Sequence, residues 1–111
     1  MQMQVEEISG GITKINLDGD LDAKGSAEID VRFAAVTSAR EKVVVDLSRV
    51  GFLASIGIRT LLSAAKTMDR RSGRLVLTGA NADVAKVLAI SGVEQVLAVH
   101  PGLDEALAAL V

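Results

Sequence analysis

Three consecutive valines, Val43 to Val45, stand in the run Lys-Val-Val-Val-Asp-Leu over residues 42–47. A strand points successive side chains to opposite faces, so an unbroken β-branched run calls for a central strand covered on both sides. The rest of the chain agrees with that demand. Short apolar runs alternate with longer stretches of helical periodicity, which is the pattern of an α/β domain.

Residues 3–8 and 12–18 read as two strands around Gly10-Gly11, a pair that supplies the positive φ angles of a tight hairpin turn. Ile12 falls off the alternation of the second strand, one face of which is expected to be wet. Over 24–38, Ile29, Phe33 and Val36 recur at helical spacing with Ala27 beside them, and Ser26 or the Asp22–Ala23 segment is the candidate cap. The clearest helix runs over 55–71, where Ile58, Leu61, Leu62, Ala65 and Met68 make an apolar stripe. Gly73 stands where a left-handed residue would close that helix. Residues 74–78 are a strand, and Asn81 caps a helix that Gly92 ends, with Val84, Val87 and Leu88 on its apolar face. Residues 95–99 form a weaker strand, and Pro101-Gly102 opens a last helix with Asp104 and Glu105 near its positive end.

The expected architecture is one α/β domain over residues 1–111, with the order ββαβαβαβα. Strands joined through a helix run parallel with right-handed crossovers, and the hairpin makes the first strand an antiparallel edge. The sheet is therefore small, mixed and mostly parallel, with about five strands and about four helices.

Composition removes several functions. The 12 Lys and Arg against 14 Asp and Glu leave a net charge of −2, without the footprint of a general nucleic-acid binder. Two Phe and no Trp or Tyr leave no stacking platform for bases. With no Cys and the single His100, a Cys-zinc site and a thiolate nucleophile are excluded, and no metal site is expected. There is no apolar run of membrane-spanning length, and the first residues lack the basic and apolar regions of a signal peptide. The expectation is a soluble cytoplasmic protein.

The informative stretch is Val43 to Leu62, where a central strand leaves the sheet and a helix begins at about Ser55. Open α/β sheets place functional sites at such strand-to-helix turns. Ser55 sits at or beside the N-cap, where its oxygen can accept from a first-turn N–H. The same place suits a phosphoserine, because free N–H groups and the helix dipole favour an anion.

The span Asp46-Leu47-Ser48-Arg49-Val50-Gly51-Phe52-Leu53-Ala54-Ser55-Ile56-Gly57-Ile58 resembles the STAS domain of bacterial anti-sigma factor antagonists. That family's signature runs Asp-Leu-Ser-x-Val-x-Phe, then Leu or Met, then Asp-Ser, then Ser or Thr, then Gly and Leu or Ile. Upstream, Leu17-Asp18-Gly19-Asp20-Leu21-Asp22 is similar to the family's Leu-x-Gly-x-Leu-Asp, and Ala89-Ile90-Ser91-Gly92-Val93 to its Ser-Gly turn. The resemblance implies a non-catalytic antagonist that binds an anti-sigma factor serine kinase while unmodified. Ser55 takes the place of the residue that the kinase phosphorylates, which releases the partner, and a metal-dependent serine phosphatase restores the complex. The ATP and magnesium belong to the kinase.

Two positions depart from the signature: Ala54 replaces an Asp, and Ile56 replaces a second hydroxyl. The partner-binding rim implied by the match comprises Asp20, Asp22, Ala54, Ser55, Ile56, Gly57 and Arg59. Gly57 serves close packing or backbone access for a partner. Arg59, Lys66 and Arg70 make a basic helix face, either solvated or meeting an acidic partner. Phe52 and Leu53 are assigned to the core, Ser48 to a local turn, Ser91 to a helix end and His100 to the surface. STAS-like domains also serve as cytoplasmic parts of anion transporters and lipid-transport complexes, and Ala54 motivates that alternative. A small nucleotide-binding enzyme is a third possibility, disfavoured by the lack of a Walker-type loop or a base paired to Ser55.

Overall fold

The computed structural model describes all residues, 1–111. Strand β1 (Gln2–Ile8) and strand β2 (Ile12–Leu21) form the hairpin, and helix α1 (Ala23–Ala39) leads to β3 (Lys42–Leu53). Helix α2 (Ser55–Arg70), β4 (Arg74–Thr78), α3 (Ala82–Ser91), β5 (Val99–His100) and α4 (Leu103–Leu110) complete the chain. The five strands lie in the order β1-β2-β3-β4-β5, with β1 antiparallel to β2 and every other pair parallel. The expected order and the mixed, mostly parallel sheet are thus observed. The hairpin turn is also as expected, with Gly10 and Gly11 at φ +80° and +73°.

The valine run does what its pattern demands. Val43 and Val45 join Ile15, Leu17, Leu77 and the helices α1, α2 and α3 in the main core. Val44 points the other way and meets Ile12, Val76, Ala106 and Leu110 beneath α4. This second cluster explains the off-phase Ile12, which is buried rather than facing water. α4 covers only part of the far face. Beyond it the sheet presents Gln2, Gln4, Lys14, Asn16 and Asp46, so the expected wet face is confined to that end. Lys14 bridges Glu6 and Asp46 there, at 3.9 and 3.5 Å. Burial alone would raise the Asp46 pKa, but hydrogen bonding from Ser48 and the Lys14 charge outweigh it and hold the carboxyl below the usual range.

Several local expectations need correction. β2 and β3 run three and six residues past the expected strand ends at 18 and 47, to Leu21 and Leu53. Residues 93–95 form a 3-10 turn, which leaves β5 with only Val99 and His100. Ala27 is exposed, and α1 instead buries Gly25, Ser26, Ile29, Phe33 and Thr37. His100 is half-buried, with an Nε2 that has no hydrogen-bond partner. The cap of α1 is Asp22, which accepts from the Gly25 N–H at 2.8 Å.

At the end of α2 the left-handed residue is Ser72, at φ 62°, and Gly73 follows it. The Gly73 N–H closes the helix onto the Met68 carbonyl at 2.8 Å, a Schellman arrangement. Left-handed backbone costs a residue with a Cβ about 1–2 kcal/mol. Ser72→Gly is therefore expected to stabilise the fold by about 0.5–1 kcal/mol after the entropy of the more flexible unfolded chain is counted. A thermal melt checks it: the midpoint rises by a few degrees, and an unchanged or lower midpoint means the turn carries no strain.

Candidate functional site

The site is built by the end of β3, which reaches Ser55 through two irregularities. Asn16 pairs with Asp46 but Asp18 with Arg49, and Gly19 pairs with Val50 but Asp20 with Phe52. Each shift inserts one extra residue into β3, which is a β-bulge. Core residues therefore recur at Leu47, Val50 and Leu53, every third position rather than every second. Asp46 steadies the first bulge, its Oδ1 accepting from the Ser48 N–H at 2.8 Å. Asn81 ties down the second, donating from Nδ2 to the Val50 carbonyl at 3.1 Å while its Oδ1 caps α3. Ser48 thus lies in a local turn within the strand, closed by the Asp46 carboxylate.

β3 stays in the sheet until Leu53, and Ala54 alone makes the turn into α2. The Ala54 N–H donates to the Leu21 carbonyl at 3.1 Å, which docks this turn against the end of β2. Ala54, not Ser55, is the N-cap residue, and no side chain caps the helix. Ser55 is the first residue of the helix proper and is exposed. The expected acceptance of an N–H by its hydroxyl is therefore replaced by a different arrangement. The first turn of a 16-residue helix holds no acidic residue and no capping side chain, so its positive dipole end lies beside one exposed serine.

Gly57 allows this docking. It is buried, and a methyl group on it would collide with the Leu21 carbonyl oxygen and stand 2.7 Å from the Leu21 Cγ. Close packing, one of its two expected roles, is the one this geometry requires. Asp20 lies inside β2 opposite Phe52 and is exposed, and Asp22 spends its carboxylate on the cap of α1. Asp20 lies beyond the strand end expected at residue 18, and the bulged pairing of β2 with β3 makes it a strand residue. Ile56 and Arg59 are exposed on the first turns of α2. Lys66 and Arg70 are exposed farther down the same helix, too far along it to share the site with Ser55. Leu53 is buried as expected, but Phe52 is 54% exposed. The three-residue repeat places it: Val50 and Leu53 take core positions, which leaves Gly51 and Phe52 between them facing out.

The open cap yields a direct prediction. Ala54→Asp supplies the missing acceptor and a negative charge at the dipole end, and is expected to stabilise the protein by about 1 kcal/mol. Urea titration at low and high salt checks it. The gain shrinks with salt if the dipole contributes, and a loss of stability would mean that the turn at 54 has no room for a cap.

Comparison with known proteins agrees with this fold. The family model described as "Mlab, STAS domain" matches residues 5–100. BtrV of Bordetella bronchiseptica is 29% identical over 110 residues, covering 98% of this chain and 94% of that protein. The anti-sigma-F factor antagonist RsfA of Mycobacterium tuberculosis is 30% identical over 98 residues, covering 86% of this chain and 77% of its own length. Among solved structures, an anti-sigma factor antagonist from Mycobacterium paratuberculosis superposes with a TM-score of 0.89 at 23% identity, over 98% of this chain and 92% of that one. The fold, the matched residues and the relatives agree: this chain belongs to the STAS domain, anti-sigma factor antagonist family.

Proposed function

We propose that this antagonist is switched by phosphorylation of Ser55. Unmodified, it binds an anti-sigma factor that is itself a serine kinase, and so frees a sigma factor. The kinase transfers a phosphoryl group from ATP, with its magnesium, to the Ser55 hydroxyl, and the complex separates. A serine phosphatase returns the chain to its binding form. The chain is the substrate in this cycle and not the catalyst. The docking rim comprises Asp20, Ala54, Ser55, Ile56 and Arg59, with Asp22 and Gly57 shaping the turns beneath it.

The carrying observation is the exposed Ser55 on an uncapped helix terminus with no acid in its first turn. A phosphate there meets N–H donors and a favourable dipole, so the modified form keeps its fold. Ile56 leaves Ser55 as the one hydroxyl of the turn, and the nearest in α2, Thr60, is committed to the Ile56 carbonyl at 3.1 Å. Incubation with the partner kinase and ATP-magnesium, followed by mass spectrometry of the peptides, tests the proposal. One phosphate on Ser55 supports it. An unmodified chain beside a kinase proven active rejects it.

Ala54 favours one other reading, a STAS scaffold subunit of a transporter or lipid-transport complex that never cycles through phosphate. In that case Ser55→Ala and Ser55→Asp leave assembly of the complex unchanged.

A further inference from the structure

The two edges of the sheet differ. β5 is two residues long and offers little to pair with. β1 runs seven residues, in unbroken register with β2 and with no strand on its other side. Edges of that length are ordinarily guarded by a proline, a lysine or a bulge, and β1 has none of these. The one side chain bonded to its backbone is Arg32 of α1, whose guanidinium donates to the Met3 carbonyl at 2.6 Å. That carbonyl therefore points away from β2. In an antiparallel strand the N–H and C=O of one residue share a side, and the side alternates along the chain. Met3, Val5 and Glu7 thus turn their backbone groups to the open edge. A carbonyl has two acceptor positions, so Arg32 leaves Met3 able to pair.

We infer that β1 is the seam of a homodimer, pairing antiparallel with β1 of a second copy about a two-fold axis at Gln4. The strand is complementary to itself in that register, which is what identifies the occupant. Met3 of each copy lies opposite Val5 of the other, Gln2 opposite Glu6, and Gln4 opposite Gln4. Met3 belongs to the main core and Val5 packs against it half-buried, so the pairing extends that core and covers Val5. Gln2, Gln4 and Glu6 are exposed on the polar face, where a carboxamide donates to a carboxylate. No like charges stand opposite each other. The Glu7 carboxylate adds no free charge, because it accepts from Thr13 at 2.8 Å and from Arg40 at 3.0 Å. An axis at Glu6 would set Glu6 against itself, and an axis at Val5 would set Met3 against Glu7 and Gln2 against Ile8. The side-chain pattern thus selects one register. The seam uses none of residues 54–59 and does not depend on the function proposed above.

Sedimentation equilibrium of the full chain tests this. A seam of one strand pair is a small interface, so a dissociation constant of about 100 µM is expected, read between about 10 µM and about 1 mM. Gln4→Lys and Gln4→Glu each put like charges on the axis and are each expected to weaken the dimer at least about tenfold. Their equimolar mixture sets Lys against Glu and is expected to restore it. Gln95→Lys, exposed on the turn at 93–95, dimerises as the wild type does. Thermal melts confirm that the variants fold. A wild type still monomeric at about 1 mM overturns the inference. So does Gln4→Lys that dimerises as tightly as the wild type, or a mixture that recovers nothing. An equal loss in Gln95→Lys would mean that net charge and not the seam governs association, and overturns it too.

Discussion

Gly57→Ala is expected to lower stability by about 3 kcal/mol, with a fall in melting temperature of about 12 °C for a domain of this size. Helix propensity alone gives the opposite sign, since alanine is favoured over glycine inside a helix by about 1 kcal/mol. Packing decides. The new methyl points at the Leu21 carbonyl oxygen, and its other neighbours are the Leu21 Cγ at 2.7 Å and the Leu53 Cδ1 at 3.0 Å. That carbonyl cannot swing aside, because it accepts the Ala54 N–H at 3.1 Å, the bond that docks the turn before Ser55. Relief requires α2 to lift from β2, which exposes the buried Leu61 and Leu53 and tilts Ser55. Two measurements separate the effects. Chemical denaturation reads the stability loss, and phosphorylation of the folded variant reads the displacement of Ser55. A variant as stable as the wild type would show that the start of α2 is not seated on Leu21.

Legibility in the sequence followed the regularity of the backbone. The valines at 43–45 and the stripe Leu61, Ala65 and Met68 were readable because ideal strands and helices repeat at fixed periods, and all of these residues are buried. The Asn81 cap and the left-handed Gly92 were readable because each has a local chemical signature. Beyond Leu47 the period fails. Two bulges turn alternation into a three-residue repeat, so the last six residues of β3 looked like a turn and Phe52 looked like core. The shift is anticipated by nothing in composition, although the Asp46-x-Ser48 step is a known turn former and hints at the first bulge. Capping was legible to within one residue, with Ser55 beside the cap and not on it. Ser55 is a favoured cap residue, yet Ala54 occupies the cap because the sheet holds its N–H on Leu21. That displacement by one residue turns a hydroxyl that would have been engaged with its own helix into one that faces outward.

Phosphorylation of Ser55 is expected to weaken kinase binding by tenfold to a thousandfold, a cost of about 1.4 to 4 kcal/mol, while leaving the melting temperature within a few degrees. The two halves of this expectation have one cause seen from two sides. In the free protein the phosphate adds about −1.5 to −2 charge at the positive end of α2, where donors are unclaimed and no acid stands in the first turn. The missing carboxylate at Ala54 removes a like-charge neighbour, so the fold gains rather than loses by the modification. In the complex the same group must be stripped of water beside the apolar Ile56, with Arg59 the one cation of the first two helical turns. Arg59 is exposed on the flank and holds no fixed ion pair, so it does not repay that desolvation. Ser55→Asp should reproduce part of the loss, because one charge replaces nearly two, whereas Ser55→Ala should bind as the unmodified chain does and resist the kinase. Titration of each form against the kinase, with melts recorded at two salt concentrations, reads both halves. If the phosphorylated chain binds as tightly as the unmodified one, then the helix terminus satisfies the anion inside the interface as well as outside it, and Ser55 is no switch.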